Sequence, residues 1–239
     1  MPRKPALANQ TADATGTTRA SAVYDALRAD ILHGSFKPGE KLRVDAVGLR
    51  YGVGASPVRE ALNRLSAEGL VTRNDQRGFS VAALMWEDLA VLTGTRCQVE
   101  AIALEESIAA RNQAWEDALV LLVHKLSRTP RSLSTRHYVP NPEWESLHRE
   151  FHVQLLANCP SRWLRDFCDA LSTEAYRYRQ LAASRNFSSR NEHTEHVALF
   201  HAAIEGRAAD AVKLLTDHYR RTSTSVSENA VRLQIHAQP

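Results

Sequence analysis

Between Tyr51 and Val58 the chain reads Gly52-Val53-Gly54-Ala55-Ser56-Pro57, a backbone break followed at once by a helix start. Serine at an N-cap accepts a hydrogen bond from a first-turn amide, and proline at the first helical position has no amide to leave unsatisfied. The helix that follows carries Val58, Leu62 and Leu65 on one face and closes at Gly69. Before the break, Val23, Leu27, Ile31 and Leu32 recur at helical spacing over 21–33, and Gly34 stops the run. Lys37-Pro38-Gly39-Glu40 is a turn, and a short helix covers 44–51. After the break, Leu70-Val71-Thr72-Arg73, then Asn74 to Gly78, then Phe79-Ser80-Val81 read as a hairpin. Three short helices followed by a two-stranded ribbon have the layout of a winged helix-turn-helix.

Beyond Ala83 the periodicity is helical only, with helices expected near 86–111, 114–127, 143–158, 161–183, 190–205 and 208–227 and a polar loop around 128–142. The expected fold is mainly α: an N-terminal winged helix-turn-helix with a small β-hairpin, then an all-α helical bundle. The corresponding boundaries are a disordered arm over 1–19, a DNA-binding domain over 20–83, an effector-binding and dimerisation domain over 84–228, and a flexible tail over 229–239.

Charge separates the two parts. Residues 1–82 hold 12 Lys and Arg against 8 Asp and Glu, an excess of +4, whereas the remainder holds 18 against 19. The basic excess points the front third toward a polyanion. No apolar run approaches the ~20 residues of a membrane span, and Met-Pro-Arg-Lys is not followed by the apolar stretch of a signal peptide. Three scattered cysteines without a C-x-x-C pair suit a reducing compartment. The expectation is a cytoplasmic protein without a membrane partner.

A helix-turn-helix reads DNA with the first turns of its second helix in the major groove. With the apolar stripe turned inward, Arg59, Asn63 and the Ser56-Pro57 start face outward. Arginine suits phosphates and guanine edges, and asparagine suits adenine. The amides at the helix start add a phosphate site. At the tip of the ribbon, Arg77-Gly78 lets a cation approach the backbone or minor groove.

Val23 to Val81, with Pro38-Gly39-Glu40, Gly52-Val53, Ser56-Pro57-Val58-Arg59-Glu60-Ala61-Leu62 and Glu68-Gly69-Leu70-Val71, resembles the winged-helix domain of GntR-family transcription regulators. The helical remainder resembles the FCD domain of the family's FadR-type branch, close to the carbon-starvation-induced regulators. The resemblance implies a homodimeric repressor or activator that binds double-stranded operator DNA and answers to a small metabolite. It implies DNA contacts from Arg43, Ser56, Pro57, Arg59, Asn63, Arg64, Arg77 and Gly78. The family usually has arginine before the Ser/Thr-Pro pair; Ala55 stands there in this chain, so its base preference is expected to differ.

The chain has 10 histidines, and His148 and His152 lie i, i+4 on one expected helix face, where they can chelate one ion. FadR-type domains commonly bind a divalent metal through an acid or histidine four residues before the His of a Phe-His pair, plus two later histidines. That pattern falls on His148, His152, His196 and His218. Most relatives have Asp at the position of His148; histidine instead removes a negative charge and favours zinc or nickel. A zinc hydrolase needs glutamate directly after the first histidine. Glu150 is two residues on, about 200° around the helix, so no catalytic residue is assigned and the chain is expected not to be an enzyme. His124, His137, His193 and His201 are read as non-ligands.

Arg96 matches an arginine common in this branch. Inside a bundle it needs an anionic partner, either an effector or a carboxylate such as Glu100. An octahedral ion on four histidines keeps two positions for a carboxylate effector, with Arg96 holding its other end. The functional expectation is a metabolite-responsive regulator; the alternatives are a direct metal-ion sensor and a metal-dependent hydrolase.

Overall fold

The structure is a computed structural model that describes residues 18–74, 78–136, 138–182 and 192–235, with side chains described to residue 230. It separates into two compact units, Met1–Leu84 and Met85–Pro239. Residues 1–17 of the expected arm lie outside the described residues, whereas Thr18 caps the first helix by accepting a hydrogen bond from the Ser21 amide.

In the first unit, α1 (Arg19–Leu32) buries Val23, Leu27 and Ile31, β1 is Lys41–Leu42, α2 is Val44–Tyr51 and α3 is Ala55–Ala67. Strands β2 (Val71–Asn74) and β3 (Gly78–Val81) form the expected ribbon. The short β1 pairs antiparallel with β3, Leu42 opposite Phe79, to make a three-stranded sheet in the order β1-β3-β2. Val58, Leu62 and Leu65 of α3 are fully buried with Leu27; burying each such side chain stabilises by about 1.5–3 kcal/mol before entropic losses. Gly48 brings α2 close to the turn before α3: a Cβ there would stand 2.7 Å from the Val53 carbonyl oxygen. Gly52 ends α2 at φ 71°, a conformation that favours glycine.

Ser56 is not the helix cap. Extended Gly54 fills that position without a side-chain hydrogen bond, and Ala55 opens the helix. Ser56 and Pro57 therefore occupy the first turn, where amides have no intrahelical partner and proline costs nothing.

The second unit is helical: α4 (Asp88–Ala109), α5 (Gln113–Arg128), α6 (Pro142–Leu155), α7 (Arg162–Ala182), α8 (Glu192–Ile204) and α9 (Ala208–Ile235). Asn112 caps α5, and Asn141 caps α6 with Pro142 at its start. Leu104, Ile108, Trp115, Leu119, Phe151, Leu155 and Leu199 centre its core. The Trp115 indole donates to the Gln154 carbonyl at 2.7 Å, tying α5 to α6. Helix α9 runs on to Ile235 and so takes in the first residues of the tail expected from residue 229. No glycine or proline interrupts the chain there, and Val226 and Ala230 continue a buried stripe. Residues 236–239 lie outside the described residues.

Candidate metal centre and nucleic-acid interface

On the first unit, α3 presents Ser56, Arg59 and Asn63 to solvent, with Pro57 half-buried behind them. Arg43, the residue before α2, is also exposed. Arg64 faces another way: its guanidinium lies 3.9 Å above the Tyr24 ring and reaches Ser21 Oγ at 3.4 Å, joining α3 to α1. Tyr24 in turn donates to Glu68 at 2.5 Å. Gly78 opens β3 with φ 85°, and Arg77 lies outside the described residues.

In the second unit, three helices bring four imidazoles to one point. His148 and His152 come from α6, His196 from α8 and His218 from α9, and all four are buried. One ring nitrogen from each lies within 4.8 Å of the others. The Nε2 atoms of His148 and His152 are 3.2 Å apart, close to the about 3.3 Å between nitrogens of a tetrahedral zinc with Zn–N of about 2.0–2.1 Å. Phe151 packs edge-on against His196, and Trp144 stacks on His148. An uncharged, all-imidazole donor set fits a borderline-soft divalent ion. His124, His193 and His201 are exposed and stand outside this cluster; His137 lies outside the described residues.

Three of the rings have a named backing partner. His218 Nδ1 meets Glu195 at 2.8 Å. His152 Nδ1 stands 3.2 Å from the Tyr219 oxygen, and Tyr219 donates to Glu100 at 2.5 Å. Arg96 pairs with the same carboxylate at 2.7 Å and stacks over Tyr219 at 4.0 Å. Arg179 of α7 donates to His148 Nδ1 at 3.1 Å and pairs with buried Glu145. Such outer partners fix ring orientation and tautomer. Arg179, Glu145, Tyr219 and Glu195 were not legible as site residues; only their nearness in the fold identifies them. Glu150 is exposed and accepts from Ser146, away from the imidazoles.

Burial holds His148 well below the usual histidine range, with the Arg179 charge next in effect. His152 is lowered by burial and then by His218 and His196. Burial, then Glu100, pushes the Tyr219 hydroxyl up. Both histidines are thus neutral when folded but take up a proton when unfolded below the ordinary value of about 6.5. The stability this gives is complete above that value and is lost progressively as pH drops below it. Urea unfolding of metal-free protein at pH 7.5 and 5.5 should show that loss; equal midpoints would contradict neutral burial.

A cavity of about 50 Å³ opens against this cluster, lined among others by Arg96, Arg149, Arg179, His148, His152 and Tyr219. It has room for a few waters, and its wall holds Glu145 beside the three arginines, which pair with Glu100, Asp169 and Glu145. A larger cavity of about 280 Å³ reaches the other side of His152, with Glu100, Asp166 and Asp169 against Arg165 alone. That wall suits an anion poorly.

A winged helix with an outward, cation-bearing helix, carried on the same chain as a helical unit with a buried imidazole cluster, has the layout of a DNA-binding regulator. Residues 19–81 match the gntR family of bacterial regulatory proteins, and residues 92–221 match the FCD domain. The chain belongs to the GntR family and carries an FCD domain: it is a DNA-binding transcription regulator. It is 35% identical over 208 residues to the HTH-type transcriptional regulator BphR of Paraburkholderia xenovorans (strain LB400), covering 87% of this chain and 84% of that protein. It is 32% identical to the HTH-type transcriptional repressor GlaR of Escherichia coli (strain K12), over 82% of this chain and 90% of that protein. Its fold matches the solved structure of E. coli McbR/YncC with a TM-score of 0.74 at 16% identity, covering 90% and 99% of the two chains. The relatives are regulators, not enzymes, and among the described residues no helix is long and apolar enough to cross a membrane.

Proposed function

We propose that this protein is a cytoplasmic, homodimeric repressor whose hold on operator DNA is set by a small carboxylate bound beside a zinc or nickel ion on His148, His152, His196 and His218. The observation that carries this reading is the meeting of four buried imidazoles with a cavity lined by three arginines. The imidazoles supply neutral nitrogen ligands, and the bound ion supplies a Lewis acid that attracts a carboxylate oxygen. Arg96 and its neighbours supply the opposite charge for the rest of an anionic effector. The two α3 helices of a dimer read two half-sites through Arg59 and Asn63, with Arg43 and the wing on phosphates. The effector favours one spacing of those helices over another.

The test begins with a duplex selected from random sequence by the purified protein. Its affinity is measured by fluorescence anisotropy with zinc-loaded and chelator-treated protein, each with and without a panel of small carboxylates. An effector should shift affinity by roughly 5- to 150-fold, and only with metal present. A full switch on chelation alone would make the ion itself the signal, and indifference to both would overturn the proposal.

A further inference from the structure

The arrangement around His148 assigns Arg179 a part in both metal and anion binding. A guanidinium has donors and no acceptor. His148 Nδ1, 3.1 Å from Arg179, must therefore present its lone pair, which leaves the proton of the neutral ring on Nε2. That proton faces His152 Nε2 at 3.2 Å, so His152 carries its own proton on Nδ1. This nitrogen donates to Tyr219 at 3.2 Å, and Tyr219 donates to Glu100 at 2.5 Å. The row runs in one direction from Arg179 to Glu100, with one proton for each link.

A cation held by His148 would break this row through either nitrogen. Were Nε2 the ligand atom, the ring proton would sit on Nδ1 and face the Arg179 N–H, donor against donor. Were Nδ1 the ligand atom, its lone pair would no longer serve Arg179. We infer that Arg179 and a metal ion exclude each other at His148, and that metal loading releases the guanidinium as the anchor for an anionic, carboxylate-bearing effector. Arg179 already lines the cavity beside the histidines, together with Arg96 and Arg149. Metal first, carboxylate second is the order that follows. The inference rests on the metal reading given above.

The experiment uses full-length protein with nitrogen-15 histidine and long-range proton–nitrogen correlation spectra, before and after zinc. Metal-free wild-type protein should show His148 as the Nε2–H tautomer, and zinc should abolish that pattern. In R179M the tautomer should no longer be fixed, and zinc should bind about tenfold more tightly than to wild type, the size expected for losing one charge-assisted hydrogen bond. An Nδ1–H tautomer at His148 in the metal-free wild type, with zinc still binding, overturns this inference alone. Zinc affinity in R179M equal to or weaker than wild type also overturns it. Failure of zinc to bind the wild-type protein at all overturns both this inference and the metal reading beneath it.

Discussion

Replacing His152 with alanine should lower zinc affinity by roughly a hundred- to a thousandfold. Structural zinc sites with four ligands bind with apparent free energies of about 10–16 kcal/mol. An equal share per ligand is about 2.5–4 kcal/mol, which converts to that range. His152 links the cluster to its supporting network, facing His148 on one side and Tyr219 on the other. Its ring centroid lies 4.6, 5.5 and 5.1 Å from those of His148, His196 and His218. Competition against a chromogenic chelator measures the change. His201→Ala is the matched control, because that side chain is 53% exposed beside Glu205 and should leave the affinity as it was. Equal zinc binding by both variants would remove His152 from the ligand set.

The second large effect concerns DNA. Arg59→Ala should weaken binding to the selected operator by roughly 5- to 150-fold, the value of one bidentate base contact at about 1–3 kcal/mol, while binding to random duplex falls far less. Arg59 is exposed on the outward face of α3, one turn from Asn63. Arg64→Ala should behave differently. Its guanidinium is committed to Tyr24 and Ser21, so its loss should destabilise the packing of α1 on α3 and leave the ranking of operator sequences unchanged. Anisotropy titrations over a set of single-base operator variants separate the two results. Sequence ranking that follows Arg64 and ignores Arg59 would reverse the assignment.

The contrast between these two arginines shows what the sequence could and could not tell. Periodicity identified the buried stripe of Val58, Leu62 and Leu65, because a 3.6-residue repeat requires one face to be apolar. It could not place Arg64, whose direction depends on an aromatic ring 40 residues earlier on another helix. The Ser-Pro pair marked the start of α3 to within two residues, but an extended glycine served as the cap instead of serine. The two-residue β1 gave no alternating pattern to detect. In the helical unit, the i, i+4 spacing of His148 and His152 was visible directly, while His196 and His218 were assigned only through the family likeness. Arg179 had no signal at all, since nothing in its neighbourhood along the chain distinguishes it from the other arginines of α7. The open choice at Arg96 now has a specific answer in part: Glu100, one turn away, holds its Nε, and the same residue still borders the cavity.

The claim on which the effector reading depends is that four side chains, none of them acidic or sulfur-bearing, surround one cation. X-ray absorption at the zinc edge of stoichiometrically loaded protein examines that shell atom by atom. The expected spectrum shows one ion per chain with nitrogen neighbours at about 2.0–2.1 Å and the multiple-scattering pattern of several imidazoles, reduced by one ring in His152→Ala. A shell of water oxygen or sulfur without imidazole scattering, or a spectrum unaltered by that substitution, would contradict it.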